Sequence, residues 1–137
     1  NAADLQAEAR RYDEAIRAAG GIDMQLLGIG RNGHIGFNEP ADHLVYGTQI
    51  VELTESTIKA NRRFFEREED VPRRAISLGI GGIMAAREVV LIAMGEDKAQ
   101  AIHDTVKGEI NPHVQASILR LHPHATILVD KAAASLL

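Results

Sequence analysis

The segment with the clearest chemical potential is a glycine-rich loop that follows a short apolar stretch. It reads Gly28-Ile-Gly-Arg-Asn-Gly-His-Ile-Gly-Phe-Asn-Glu-Pro40, and it places Asn32, His34, Asn38 and Glu39 close together along the chain. An imidazole next to a carboxylate can move a proton near neutral pH. We therefore predict that His34 and Glu39 form an acid–base pair, with Asn32 as a hydrogen-bonding neighbour.

The same pattern is also compatible with a tight turn that carries a surface histidine, because glycine pairs after strands are common. On the pattern alone these two interpretations weigh equally. The loop is long for a connection and dense in polar groups, which favours a site. Phe37 and Pro40 also restrict its backbone, while Gly28 and Gly30 allow it to turn sharply and approach a ligand.

The strands and helices that must position this loop are predicted from the spacing of apolar residues and from the Gly and Pro residues that end such elements. Predicted strands cover residues 23–30, 48–53, 75–80, 88–94 and 125–130. Predicted helices cover residues 5–19, 54 to about 71, 83–87, 95–108 and 116–121, and a last one starts at Lys131. This alternation predicts one α/β domain over residues 1–137, a three-layer Rossmann-like fold with a mostly parallel sheet and flanking helices. Ligands of such sheets bind beyond the carboxyl ends of the strands, where the loop lies.

Composition narrows the functional class. The 137 residues fit one domain, and the net charge of −4 without a basic cluster argues against a nucleic-acid partner. The absence of Cys excludes disulfides and thiolate metal sites. No apolar run approaches the roughly 20 residues of a membrane helix, and the start is neither a signal nor a transit peptide. We expect a cytoplasmic protein that has no membrane partner.

Several separated motifs together resemble the glucosamine-6-phosphate deaminase family. They occur in the family's order and span essentially the whole chain, which makes the resemblance specific. The motifs are Asn1-Ala-Ala-Asp4 before the first helix, the loop itself, Asn61-Arg-Arg-Phe-Phe65, Val71-Pro72, Gly79-Ile-Gly-Gly-Ile-Met84, Gly95-Glu-Asp-Lys98 and Ala116-Ser-Ile-Leu-Arg-Leu-His-Pro123.

The resemblance implies an isomerase and deaminase of the hydrolase class that turns glucosamine 6-phosphate and water into fructose 6-phosphate and ammonia. It implies no metal and no organic cofactor. His34 would assist opening of the sugar ring, and Glu39 would pair with His34 and tune it. Some members have Asp at the position of Asn32, and others have Asn. Because this chain has Asn there, a full Asp–His–Glu triad is not available in it.

The resemblance further assigns Gly30 and Gly33 to substrate binding and gives Arg63 and Lys98 the substrate phosphate. The chemistry agrees, because Arg presents a planar fork to phosphate oxygens. Lys98 is predicted in the first turn of a helix, where backbone N–H groups also attract anions. The alternative for Arg63 is a solvated charge on a charged helix, which is the ordinary state of such residues.

Other features of the family fall outside this chain or differ in it. The family's catalytic base, an Asp, and its first phosphate-binding loop belong to a segment before Asn1, and family chains also extend beyond Leu137. We therefore expect part of a longer enzyme that is inactive alone. Regulated members bind an N-acetylated sugar-phosphate activator between subunits through Ser, Arg and Lys, where this chain has Asp42, Gln49 and Val51. We expect no such activation, and a homo-oligomer is possible because the family includes monomers and oligomers.

Two other functions remain open. A 6-phosphogluconolactonase shares the Gly-rich loop with its His, but Phe37-Asn-Glu-Pro40 resembles deaminases, whereas lactonases carry a Ser-Leu-Phe-Pro type ending. A non-catalytic sugar-phosphate binding module is the second alternative, because the upstream base is missing. His122 and His124 flank Pro123 without a clear third ligand, so we predict a structural or surface role for them rather than a metal site.

Overall fold

The computed structural model describes residues 4–137 and contains five strands and four α-helices in that range. The strands are β1 (Met24–Leu27), β2 (Gln49–Glu52), β3 (Arg74–Ser77), β4 (Glu88–Ala93) and β5 (Ala125–Val129). The α-helices are α1 (Leu5–Ala18), α2 (Glu55–Asn61), α3 (Ile80–Met84) and α4 (Ala99–Val106). Short 3-10 helices cover Arg62–Phe64, Glu68–Asp70, Glu96–Lys98 and Gln115–Leu121.

The central sheet has the order β1-β4-β5, and all of its strands are parallel. This confirms the predicted α/β class with a parallel sheet. β2 and β3 lie outside that sheet and form a separate antiparallel pair, with Gln49 opposite Ser77 and Glu52 opposite Arg74. Both strands mix polar and apolar residues, a pattern that suits an antiparallel pair with one face in water better than a doubly covered parallel strand.

One face of the central sheet carries the core. Val89, Leu91 and Ala93 of β4 are buried there, and they pack with α3, α4 and the 3-10 helix over residues 115–121. Removing a side chain such as that of Leu91 from water contributes roughly 1.5–3 kcal/mol. Ile35 of the glycine-rich loop belongs to the same core and is fully buried, so the core fixes the loop directly.

The opposite face of the sheet is open. Leu26, Ile92 and Leu128 point to this side and are exposed by 60%, 38% and 50%. Within residues 4–137 the sheet therefore has its helical layer on one face, and the second layer of the expected three-layer arrangement is not completed there. None of the helices in this range is both long and apolar enough to cross a bilayer.

Four predicted helices differ from the observed backbone. The short helix expected over residues 83–87 begins earlier and spans Ile80–Met84, and the one expected over residues 116–121 is a 3-10 helix. The helix expected from residue 54 to about 71 ends at Asn61, because Arg62 donates its guanidinium N–H groups to the carbonyls of Phe65 and Glu66, outside any helix. The helix expected from Lys131 is a series of turns, organised by backbone N–H groups that bond the carboxylate at the end of β5.

Candidate active site

The loop over residues 28–40 is a closed and well-bonded turn beyond the carboxyl end of β1. The Gly30 N–H donates to the carbonyl of His34 at 2.9 Å, and the Gly33 N–H donates to the carbonyl of Gly30 at 3.0 Å. Gly33 has a φ of +81°, a conformation that residues with a Cβ adopt only under strain. These backbone hydrogen bonds hold the loop as a defined platform.

Asn38 holds this platform against the rest of the chain. Its Nδ2 donates to the carbonyls of Ile35 at 3.0 Å and Leu78 at 2.9 Å, and its Oδ1 accepts from Gln49 at 2.8 Å. The residue is 2% exposed. The sequence placed Asn38 among the polar groups that could face a ligand, but the structure uses it to join the loop to β2 and to the end of β3.

His34 and Glu39 are brought together, as predicted. Nδ1 of His34 lies 3.2 Å from Oε2 of Glu39, and the two side chains are 20% and 15% exposed. Nδ1 has no partner in directed hydrogen-bond geometry, so the contact is a close electrostatic approach. It leaves Nε2, on the far side of the ring, available to a ligand.

Asn32 and Thr57 complete the surroundings of the carboxylate. Asn32 donates from Nδ2 to Oε2 of Glu39 at 2.7 Å, and its Oδ1 accepts the backbone N–H of His34 at 3.3 Å. Thr57 donates from Oγ1 to Oε1 of Glu39 at 3.1 Å. Sequence reasoning missed Thr57, because it lies in α2, outside the motif, and no local pattern distinguishes it from an ordinary residue in the first turn of a helix.

The charge of Glu39 follows from this setting. Burial is the largest single influence and would raise the pKa of Glu39, since it removes water from the charged form. The contact with His34 and the donors of Asn32 and Thr57 act in the other direction, and together they hold the pKa of Glu39 below its ordinary value. The group is therefore a carboxylate at neutral pH, as an electrostatic partner of His34 must be.

Two glycines of the loop are required by close packing. A Cβ on Gly30 would lie 2.4 Å from Cε1 and Nδ1 of His34 and 2.8 Å from Oδ1 of Asn32. A Cβ on Gly33 would lie 2.8 Å from a methyl carbon of Val114. Gly30 therefore makes room for the imidazole, and Gly33 lets the loop pack on the segment that precedes the 3-10 helix over residues 115–121.

A cavity of about 390 Å³ opens beside the imidazole, a size typical of small-molecule sites. It is lined by Gln25, Leu26, Leu27, Gly28, Ile29, His34 and Gly36. A larger cavity of about 470 Å³ lies between α1 and α3, with Asp13 and Arg17 as its charged residues. We place the site at the smaller cavity, because only that one contains a side chain able to transfer protons near neutral pH.

Lys98 is connected to the loop through Asp97. It ends the 3-10 helix over residues 96–98 directly before α4, as predicted, and its side chain is 25% exposed. Its Nζ lies 3.8 Å from Oδ2 of Asp97, and the same oxygen accepts Nε of Arg31 at 3.0 Å. Arg31 belongs to the glycine-rich loop, so the Lys98 turn and the His34 loop are linked.

Arg63 stands apart from these groups. It is exposed in the 3-10 helix that follows α2, with its guanidinium 4.8 Å from the centre of the Phe64 ring. Within residues 4–137 Arg63 forms no ion pair. The structure thus brings His34, Glu39 and Asn32 into direct contact, whereas Arg63 and Lys98 are separate cations on different elements.

His122 and His113 have partners outside the site. Nε2 of the buried His122 lies 2.9 Å from the carbonyl of Ala86, and Nδ1 accepts the backbone N–H of His124 at 3.0 Å. Both ring nitrogens of His122 are therefore used by the backbone, which confirms a structural role. The exposed His113 lies 3.3 Å from the carboxylate of Asp42.

A family model described as glucosamine-6-phosphate isomerases/6-phosphogluconolactonase matches residues 1–131. The chain belongs to this family. The isomerase/lactonase family includes the branch that the separated motifs resembled, and the match includes every residue assigned above to the site.

Curated relatives within the isomerase/lactonase family are glucosamine-6-phosphate deaminases. The one from Thermoanaerobacter pseudethanolicus is 55% identical, over 99% of this chain and 54% of its own length. The one from Latilactobacillus sakei is 59% identical, over 99% of this chain and 57% of its own length. The chain therefore spans about half the length of the curated relatives it matches.

Solved structures separate the two branches of the family. A monomeric glucosamine-6-phosphate deaminase is 44% identical, superposes with a TM-score of 0.94, and is matched over 100% of this chain and 57% of its own. A 6-phosphogluconolactonase from Trypanosoma cruzi is 19% identical, with a TM-score of 0.69 over 94% of this chain and 50% of its own. The likeness to the lactonase shows the shared Rossmann-like fold alone. Of these two structures, the deaminase has the higher sequence identity and the higher TM-score.

Proposed function

We propose that this chain supplies the proton-transfer loop and the phosphate-binding cations of a glucosamine-6-phosphate deaminase. The complete enzyme would convert glucosamine 6-phosphate and water into fructose 6-phosphate and ammonia, without a metal or an organic cofactor. The observation that carries the proposal is the 3.2 Å approach of His34 Nδ1 to Glu39 Oε2 at the mouth of the parallel sheet. The high identity to curated deaminases supports it.

His34 would act in ring opening. Its Nε2 would give a proton to the ring oxygen of the sugar as the bond from that oxygen to C1 breaks, and it would accept the proton that leaves the C1 hydroxyl. Glu39 remains a carboxylate throughout and stabilises the charged imidazole, as a partner of a general acid does. Asn32 is neutral, so its role is to hold Glu39 and not to add a second negative charge.

The next steps need a group outside this set. A base must move the proton from C2 to C1 of the open sugar while the aldehyde oxygen gains a proton and the amine nitrogen loses one. Water then adds at the resulting C2 imine, and ammonia leaves as the C2–N bond breaks and the C2 carbonyl forms. By resemblance, that base would be an Asp outside this chain. We propose that the remaining half of the relatives' length supplies it, and that this chain alone does not complete the reaction.

Substrate anchoring would come from Arg63 and Lys98. Arg63 has no competing ion pair within residues 4–137, so its fork is free for two phosphate oxygens. Lys98 precedes α4, where backbone N–H groups add to the attraction of an anion. We also propose that Gly30 and Gly33 serve the substrate indirectly, by shaping the loop, and that the enzyme works in the cytoplasm.

Activation by an N-acetylated sugar phosphate is not part of the proposal. Neither Gln49 nor Asp42 carries a positive charge that could bind an anionic effector. Both side chains also have other partners, since Gln49 donates to the buried Asn38 and Asp42 lies against His113. A rate curve that becomes hyperbolic on addition of N-acetylglucosamine 6-phosphate would contradict this.

The test uses a complete protein that contains this chain, with ammonia release from glucosamine 6-phosphate as the assay. His34→Asn should lower turnover by roughly 10²-fold, as for the loss of a general acid–base group. His113→Asn is the matched control, since the exposed ring of His113 contacts Asp42, outside the loop over residues 28–40. Unchanged turnover in His34→Asn would remove the imidazole from the mechanism, and hydrolysis of 6-phosphogluconolactone in place of deamination would favour the lactonase branch.

A further inference from the structure

Thr57 is a buried polar residue that the proposed chemistry has not used. It lies near the start of α2, is 8% exposed, and places Oγ1 3.1 Å from Oε1 of Glu39. Its hydroxyl is therefore the one side-chain donor on that carboxylate oxygen among the described residues, whereas Oε2 faces both Asn32 and His34.

The direction of the hydrogen bond follows from the charge of Glu39. An ionised carboxylate can only accept, so the Thr57 hydroxyl donates to it. That hydroxyl must then act as acceptor towards Thr54, whose Oγ1 lies 3.0 Å from Oγ1 of Thr57. The Thr57 N–H in turn donates to Oγ1 of Thr54 at 3.3 Å, which is the N-cap contact of α2. The helix cap and the carboxylate thus belong to one hydrogen-bond chain.

The carboxylate needs such a contact because its last torsion is soft. Rotation about the terminal bond of a Glu side chain has broad preferences and a low barrier. Contacts to Oε2 alone would leave the plane of the carboxylate free to turn about that oxygen. A second donor on Oε1 fixes the plane of the carboxylate and so the approach of Oε2 to Nδ1 of His34.

We propose that Thr57 is a positioning residue of the acid–base pair: its hydroxyl sets the carboxylate of Glu39 for His34. The inference rests on the proposed function. Helix α2 carries Thr57, and it also leads directly from Asn61 into the 3-10 helix that contains Arg63. One short element therefore joins the carboxylate to a cation proposed for the phosphate, so the two parts of the site keep a fixed relation.

The test compares Thr57→Val and Thr57→Ser in the complete enzyme. Val keeps the shape and removes the donor, whereas Ser keeps the donor. We expect kcat of Thr57→Val to fall roughly tenfold with KM within about twofold, the size of one lost hydrogen bond to a charged group. Thr57→Ser should recover most of the loss. Thr105→Val is the control for a buried Thr hydroxyl, since among the described residues Oγ1 of Thr105 bonds only the carbonyl of Ala101 within α4.

A second readout does not depend on turnover. Carboxyl ¹³C NMR of Glu39 should show a higher pKa in Thr57→Val than in the parent, because one donor to the charged form is gone. His34 is the titratable group in contact with Glu39 within residues 4–137, so the same titration should be repeated in His34→Asn. The acidic limb of kcat against pH should move to higher pH together with the Glu39 titration.

The outcomes separate the two proposals. A complete parent protein without deaminase activity would refute the proposed function, and the Glu39 titration would still decide the role of Thr57. An unchanged titration and kcat in Thr57→Val would overturn the inference, and so would a rise in KM alone. Equal losses in the Val and Ser variants, with a lower Tm in both, would show a merely structural Thr57. Thr57→Ala replaces the Val variant if that one does not fold.

Discussion

Glu39 is a half-buried carboxylate whose charge is stabilised by His34, Asn32 and Thr57 more than by water. Burial raises the pKa of Glu39, and the three neighbouring groups lower it. The lowering is the larger effect, since the pKa of Glu39 lies below its ordinary value. A group with a lowered folded-state pKa contributes stability that is present above the unfolded pKa. That contribution is lost as the pH falls through the folded-state value.

The donors to Glu39 therefore predict a shift in the acid limb of activity. Asn32→Leu removes the 2.7 Å donor to Oε2, so the pKa of Glu39 should rise and the acidic limb of kcat/KM should move to higher pH. A pH–rate profile of the complete enzyme measures this. Asn111→Leu is a suitable control, since the side chain of Asn111 bonds only nearby backbone. An acid limb that stays in place would mean that Glu39 does not govern it.

Gly30 sets the room available to the imidazole. In Gly30→Ala the new methyl group would overlap the His34 ring at 2.4 Å, so the ring must move away from Glu39. A displacement of about 1 Å in a catalytic group costs on the order of 10²-fold in rate, which is the loss expected in kcat. Gly28→Ala is the comparison, because Gly28 lines the same cavity but a Cβ there would meet no protein atom within 4 Å. Equal activity in both variants would refute the packing argument.

At the scale of elements, local pattern and long-range pairing differed in how well they could be predicted. β4 was recognised because its nearly continuous apolar run is the signature of a parallel strand, and the loop after β1 was recognised from its glycines. The pairing of β2 with β3 joins segments that are distant in sequence, so nothing local specifies it. Thr57 was missed for the same reason, because its contact with Glu39 crosses between elements.

Two neighbouring arginines directly after the end of α2 have different contacts. Arg62 donates to the carbonyls of Phe65 and Glu66, whereas Arg63 lies exposed over the ring of Phe64. Arg62→Ala should therefore lower the free energy of unfolding by about 1–2 kcal/mol through the lost hydrogen bonds. Arg63→Ala should leave stability alone and raise KM roughly tenfold through the lost phosphate contact.

Thermal denaturation and steady-state kinetics of both variants check this pair of predictions in the complete enzyme. The two substitutions remove the same side chain at adjacent positions, so each controls for the other. A lower Tm with an unchanged KM in Arg63→Ala would assign Arg63 to structure and leave Lys98 as the remaining phosphate cation.

At the scale of the whole molecule, the central sheet has one packed face and one open face. Leu26, Ile92 and Leu128 form an apolar strip on the open side, next to the cavity that contains His34. Exposed apolar surface of this kind favours association. The 137-residue chain alone should therefore elute from a sizing column as a mixture of larger species, and it should release no ammonia from glucosamine 6-phosphate.

Substitution of the strip tests the first part of that expectation. Leu26→Lys combined with Ile92→Lys should shift the isolated chain towards a monomer, because charges on the open face disfavour contact between copies. The matched control is Leu121→Lys, which changes an exposed Leu outside the sheet. A parent chain that elutes as a monomer would contradict the prediction. Ammonia release by that chain would show instead that the groups described here, with no base from outside, are sufficient for the whole reaction.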